Sequence, residues 1–129
     1  MPFGMLGFPD MKRFVMIRHK ENSPFLWYQS LDDPALAFVI TNPFLFKPDY
    51  EVSLDDQPLE MPWDASDEKE GGLDLYVVVN VPKGSPEKAT ANLIGPIVVH
   101  SPSRRAVQVV LADSPYSHRF PLITPRRKA

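Results

Sequence analysis

The sequence predicts an all-β fold, namely a small antiparallel β-barrel-like single domain with at most one or two short helical turns. Fifteen of the 129 residues are proline, more than twice the average of roughly 5%, and proline removes a backbone donor and clashes inside a helix. Short runs of β-forming residues recur between Pro, Gly, Asn and Asp, with turn signals about every 8 to 12 residues, as in sandwiches and barrels. Long helices therefore have little room in this chain.

Eight runs of the chain have the composition of strands. In order they span residues 12–18, 25–30, 35–41, 50–54, 73–81, 89–93, 97–100 and 106–111. The second and third runs are followed by the turn signals Asp32-Asp33-Pro34 and Asn42-Pro43. Asp and Asn favour turns because their side chains bond backbone amides two residues on. A helical turn can start only within residues 55–61, where Pro58 and Pro62 confine it to about one turn.

The run at residues 73–81 shows the clearest alternation of side chains. Leu73, Leu75, Val77, Val79 and Val81 share one face, while the other face mixes apolar and polar residues. Because side chains alternate across a strand, this pattern predicts a central strand that is covered on both sides at its middle.

Length and charge predict one domain over residues 1–124 and a disordered basic tail over residues 125–129. The net charge is −2, so the whole chain has no general attraction to nucleic acid. No apolar run approaches the ~20 residues of a membrane span. The start of the chain has no signal-peptide pattern and the sequence has no cysteine, so the expected location is the cytoplasm.

Catalytic and metal-binding patterns are hard to find in the sequence. His19, His100 and His118 have no second ligand at metal-binding spacing, so we expect no metal site and no cofactor. A nucleophile set of Ser101, His100 and Asp113 fails because adjacent strand residues point to opposite faces. The residues alone therefore indicate no more than a soluble all-β domain.

Two features suggest a binding partner. The segment from Pro43 to Tyr50 places three large apolar residues between two prolines, which is consistent equally with a core plug and with an exposed docking patch. Residues 49–74 hold ten Asp or Glu and a single Lys. Such a run usually serves solubility, but it also speeds encounter with a basic partner.

The sequence resembles a known family, the flagellar assembly factor FliW. The matching stretches follow the family's order over nearly the whole chain. They are residues 7–14 (GFPDMKRF), 25–34 (FLWYQSLDDP), 43–51 (PFLFKPDYE), 90–97 (TANLIGPI), 108–111 (QVVL) and 116–122 (YSHRFPL).

The resemblance implies a cytoplasmic, barrel-like β protein that acts by binding rather than by catalysis. Members of the family bind flagellin, and many also bind the translational regulator CsrA. While FliW holds CsrA, flagellin messenger RNA is not repressed, and accumulating flagellin takes FliW away. Such a switch depends on competing occupancy and requires no chemistry.

On this resemblance we predict two sets of binding residues. The apolar anchors for flagellin are Phe44, Phe46 and Tyr50. The acidic surface for CsrA consists of Asp49, Glu51, Asp55, Asp56, Asp67, Glu68 and Glu70.

Other interpretations of the sequence remain open. Relatives commonly begin with a further strand, and its expected absence from this chain predicts an open sheet edge and weak self-association. The alternative to a binding protein is a small split-barrel enzyme or ligand-binding domain, for which a pocket and converging polar residues would be the signal. An RNA-binding barrel is favoured by the basic tail and disfavoured by the net charge, and we expect no direct contact with nucleic acid or membrane.

Overall fold

A computed structural model describes residues 1, 4–5, 7–18, 23–52, 73–81, 84, 88–111 and 115–122. These residues form eight strands and a 3-10 turn, with no α-helix among them, which confirms the predicted all-β class. The strands are β1 (Phe14–Arg18), β2 (Phe25–Ser30), β3 (Ala37–Thr41), β4 (Leu73–Asn80), β5 (Thr90–Ala91), β6 (Ile97–His100), β7 (Arg105–Gln108) and β8 (Phe120–Pro121). The 3-10 turn, Pro43–Leu45, follows β3.

The strands form one antiparallel sheet that branches at β4. Its main path runs β1-β2-β3-β4-β5-β8, and β6 pairs with β4 and with β7. Within the described residues β1, β7 and β8 each pair with a single strand, so the sheet is not closed.

The central position of β4 explains its side-chain pattern. Tyr76 and Val78 pack against a first core cluster, which consists of Met5, Tyr28, Ile40, Ile97 and Ala106. Val77 belongs to a second core cluster with Tyr50, Ala91 and Leu93, and Leu75 packs against it. Both faces of β4 are therefore covered at its middle, as the alternation predicted, while Val81 beyond its end is exposed.

The structure differs from the sequence predictions at several places. Its 3-10 turn spans Pro43–Leu45, where Asn42 caps the turn and proline occupies its first position, whereas the turn predicted within residues 55–61 lies outside the described residues. Residues 50–52 of the predicted fourth run are not in a strand, because the Tyr50 amide closes a turn onto the Lys47 carbonyl and the Glu51 amide bonds the Tyr116 hydroxyl. Strand β8 was not predicted, since it is two residues long and contains Pro121, which a sheet tolerates only at an edge.

The turn between β2 and β3 fastens the start of β1. Asp33 accepts a hydrogen bond from the Ala35 amide at 3.0 Å, as predicted from turn chemistry. The Asp32 carboxylate instead accepts from the Lys12 and Arg13 amides at 2.9 and 3.0 Å, and from Arg13 Nε at 3.0 Å. The backbone donors of Arg13 and Lys12, and then the Arg13 side chain, hold the pKa of Asp32 below its ordinary value of 3.8.

This depressed pKa predicts how acid weakens the fold. A carboxyl group with a lowered folded-state pKa stabilises the protein above its unfolded-state pKa, and that contribution is lost as the pH falls through the folded-state pKa. We therefore expect stability to decline as the pH falls from about 4, and the Asp32→Asn variant to lack this part of the decline. Chemical denaturation at a series of acidic pH values tests this, and an NMR titration that gave Asp32 the midpoint of a short peptide would contradict it.

Candidate functional site

The segment from Pro43 to Tyr50, called here the 43–50 turn, is held rigidly by its own backbone. The Asn42 side chain accepts a hydrogen bond from the Phe44 amide at 2.9 Å and so caps the 3-10 turn. The buried Pro43 presents its carbonyl to the amides of Phe46 and Lys47 at 3.3 and 2.9 Å. Because these bonds fix the backbone, they also fix the direction in which each side chain leaves it.

The large apolar side chains of the 43–50 turn divide into two groups. Phe44 and Leu45 are 41% and 63% exposed. Tyr50 is 3% exposed and belongs to the second core cluster, against which the half-buried Phe46 packs. One part of the turn thus packs into the core, as the core-plug interpretation predicted, while Phe44 and Leu45 remain exposed on the surface.

Tyr50 acts as an internal support in this structure. Its hydroxyl donates a hydrogen bond to the Leu93 carbonyl at 2.6 Å. Burial, with a smaller contribution from Tyr116, raises the pKa of Tyr50, so the hydroxyl stays protonated and remains a donor. The structure therefore places this predicted anchor in the second core cluster, where neighbouring residues cover its side chain.

The underside of the 43–50 turn rests on residues near the end of the described chain. Phe46 stacks on Phe120 with ring centroids 5.7 Å apart, and Tyr50 meets the edge of Tyr116 at 4.7 Å. Lys47 Nζ lies 5.7 Å from the centre of the Tyr116 ring and 5.8 Å from that of Phe120. Sequence reasoning assigned no role to Tyr116 or Phe120, because nothing local to residues 116–120 indicates which segment they contact.

A cavity of about 310 Å³ opens beside the exposed part of the turn. Phe44, Val52 and Leu75 contribute apolar wall, and Asn42 and Asp74 contribute polar groups. Its size is at the lower end for a small-molecule site. A cavity of this kind can accept one apolar side chain of a partner next to Phe44.

The predicted acidic surface is described only in part. Asp49 and Glu51 are both exposed. Asp49 pairs with Lys47 at 3.1 Å, and the hydrogen bond from Lys47 is the main cause that lowers the pKa of Asp49. The remaining predicted members, Asp55, Asp56, Asp67, Glu68 and Glu70, lie outside the described residues.

The histidines and serines considered as catalytic groups have other partners. His100 is 4% exposed, and its Nδ1 lies 2.7 Å from Ser103 Oγ. Ser101 donates to Asp74 at 2.8 Å, while His19 and Asp113 lie outside the described residues. Across the described part of the chain, no group of three His, Cys, Asp or Glu could hold a metal ion, and no helix is long and apolar enough to cross a membrane.

Comparison with known proteins places this chain in a family. The family model described as FliW protein matches residues 1–122. The chain belongs to the FliW family. The match includes both the 43–50 turn and the residues 116–122 on which that turn rests, so the whole described site lies within the family domain.

Individual FliW relatives agree with this assignment. The flagellar assembly factor FliW of Magnetococcus marinus is 39% identical over 93% of this chain and 71% of its own length. That of Syntrophus aciditrophicus is 38% identical over 95% of this chain and 75% of its own. A crystal structure of the flagellar assembly factor FliW superposes with a TM-score of 0.81, at 34% identity, over 98% of this chain and 85% of that one.

Proposed function

We propose that this FliW-family protein is a cytoplasmic flagellar assembly factor that works by binding flagellin and CsrA and that catalyses no reaction. Its relatives are named flagellar assembly factors. The proposal depends on one observation: Phe44 and Leu45 are exposed on a turn whose other side packs on Tyr116 and Phe120. In this scheme flagellin and CsrA exchange on the protein, which couples flagellin level to translation of flagellin messenger RNA.

The flagellin contact is proposed at the exposed half of the 43–50 turn. Large apolar side chains at the centre of an interface dominate binding energy, and rigid ones lose little conformational entropy when they bind. Phe44 and Leu45 are large, apolar and exposed on a backbone held by hydrogen bonds, and the neighbouring cavity offers a place for an apolar side chain of flagellin. Phe46 and Tyr50 contribute by holding this pair in place.

The CsrA contact is proposed at the acidic surface, which acts mainly through long-range charge. Charges at the rim of an interface change the association rate and its salt dependence more than they change affinity. The charge of Asp49 is matched by Lys47, so among the described members of the set Glu51 contributes the more available negative charge. The Asp and Glu residues between positions 55 and 70 would supply the rest.

The flagellin contact is tested with a double variant, Phe44→Ala with Leu45→Ala. Because both side chains are exposed, we expect the fold to persist while flagellin affinity falls by about tenfold or more. Isothermal titration of purified flagellin into each protein measures the change. Leu31→Ala is the matched control, since Leu31 is 56% exposed elsewhere on the surface and its removal should leave the affinity unchanged.

The exchange is tested with the preformed complex of this protein and CsrA. Added flagellin should release CsrA from wild-type protein and should release much less from the Phe44→Ala, Leu45→Ala variant. A stable complex of all three proteins would contradict exchange. Equal flagellin affinity of the double variant and the wild type would remove the 43–50 turn as the flagellin contact.

A further inference from the structure

Strand β1 has one free edge in the described part of the chain. It pairs with β2 along its whole length, from Phe14 opposite Ser30 to Arg18 opposite Leu26. On its other side the amino group of Met1 bonds the Lys12 carbonyl, just before the strand begins. No described strand lies alongside the edge from Phe14 to Arg18.

The pairing with β2 determines which backbone groups this edge presents. The Leu31 amide bonds the Arg13 carbonyl at 2.8 Å, so Arg13 belongs to a hydrogen-bonded pair. In an antiparallel ladder, hydrogen-bonded pairs alternate with non-hydrogen-bonded pairs. The amides and carbonyls of Val15 and Ile17 therefore also point toward β2. The amides and carbonyls of Phe14, Met16 and Arg18 consequently point away from β2, toward the free edge.

The outer face of the same strand is apolar. Val15 and Ile17 are 40% and 47% exposed, and Trp27, which lies opposite Ile17 on β2, is 38% exposed. Exposed edges are usually protected by charged residues, proline or a bulge. In β1 the only charge is Arg18, at the end of the strand.

We propose that β1 pairs in antiparallel fashion with β1 of a second copy of this chain, with the two-fold axis at Met16. In this register Met16 lies opposite the partner's Met16, and Phe14 lies opposite the partner's Arg18. All three residues that present backbone groups to the edge then have partners. Val15 lies beside the partner's Ile17, so the exposed apolar side chains of the two copies meet.

A second copy fits this edge because the edge is complementary to itself. A two-fold contact uses the same patch on both copies, and the residues whose backbone groups face the free edge, 14, 16 and 18, are symmetric about position 16. No like charges face each other directly, because each Arg18 is opposite a phenylalanine. Since a five-residue strand contributes little area, the dimer should be weak and depend on concentration. The contact lies on β1, apart from the 43–50 turn, so it stands independently of the proposed function.

The register is tested by disulfide cross-linking, since the natural sequence has no cysteine. Residues 15 and 17 of opposite copies form a non-hydrogen-bonded pair with Cα atoms about 4.5 Å apart, which suits a disulfide. We expect an equal mixture of Val15→Cys and Ile17→Cys proteins to cross-link under mild oxidation and each variant alone to cross-link far less. Cross-linking of either variant alone to the same extent as the mixture, or none in the mixture, would overturn the proposed pairing.

The dimer itself is tested by light scattering over a concentration series with the native chain. Val15→Lys with Ile17→Lys should raise the apparent dissociation constant by roughly tenfold or more, because like charges would then face each other across the pair. Val81→Lys is the control, since Val81 is 46% exposed beyond the end of β4, three strands away from β1. A wild-type protein that stays monomeric at the highest concentration, or an equal effect of the control, would overturn the proposal.

Discussion

Replacing Leu93 with alanine is expected to lower the free energy of unfolding by about 2–5 kcal/mol, the range typical of a buried Leu→Ala change. Leu93 is fully buried in the second core cluster. Its amide bonds the Ser117 carbonyl at 3.0 Å, and its carbonyl accepts from Tyr50. Since its backbone is held on both sides, the surroundings can collapse only partly into the space that the side chain leaves.

Urea denaturation of wild-type and Leu93→Ala protein measures this loss. Leu31→Ala provides the matched control, because an exposed leucine should change stability by no more than about 0.5 kcal/mol. If the two variants were equally stable, the second core cluster would not be packed as described.

Replacing Gly4 with alanine is expected to destabilise the fold far more than the same change at Gly7. Both glycines have positive φ angles, +70° and +84°. A Cβ at Gly4 would lie 2.5 Å from the Pro9 carbonyl oxygen and 2.6 Å from that of Phe8, whereas a Cβ at Gly7 has open space around it. The backbone of residues 8–9 must therefore move to accept an alanine at position 4.

That movement would disturb the link between the start of the chain and the core. Met5, next to Gly4, is buried in the first core cluster and forms an antiparallel bridge with Phe8. Gly7→Ala should cost about 1–2 kcal/mol, from backbone conformation alone, and Gly4→Ala about 3 kcal/mol or more. Thermal and chemical denaturation of both variants give the comparison, and equal losses would show that the close approach at Gly4 relaxes without cost.

The sequence predicted the long, alternating strands well. Strands β2 and β6 have the predicted bounds, and the central place of β4 followed from apolar residues on both of its faces. These features are local, because the alternation of apolar and polar residues within a short stretch of sequence predicts which side chains of a strand are buried. Strand β8 and the ends of β5 depend instead on pairing between segments far apart in the chain, and no local pattern reveals which segments pair.

The candidate site could be predicted only in outline. The two prolines and three large apolar residues of the 43–50 turn drew attention to this segment as a candidate. Which side chains face outward was not predictable, because that depends on Tyr116 and Phe120, which fill the space beneath Phe46 and Tyr50. Leu45, the most exposed of the group, was not among the predicted anchors for the same reason.

The distance along the chain between these contacts affects when the 43–50 turn can reach its native arrangement during synthesis. Tyr116, whose hydroxyl binds the Glu51 amide, is made 65 residues later than Glu51. Translation must therefore extend past Tyr116 and Phe120 before the side chains that pack beneath the 43–50 turn are present. A prematurely terminated product that ends before residue 116 would contain every residue of the 43–50 turn and would still not present them in the native arrangement.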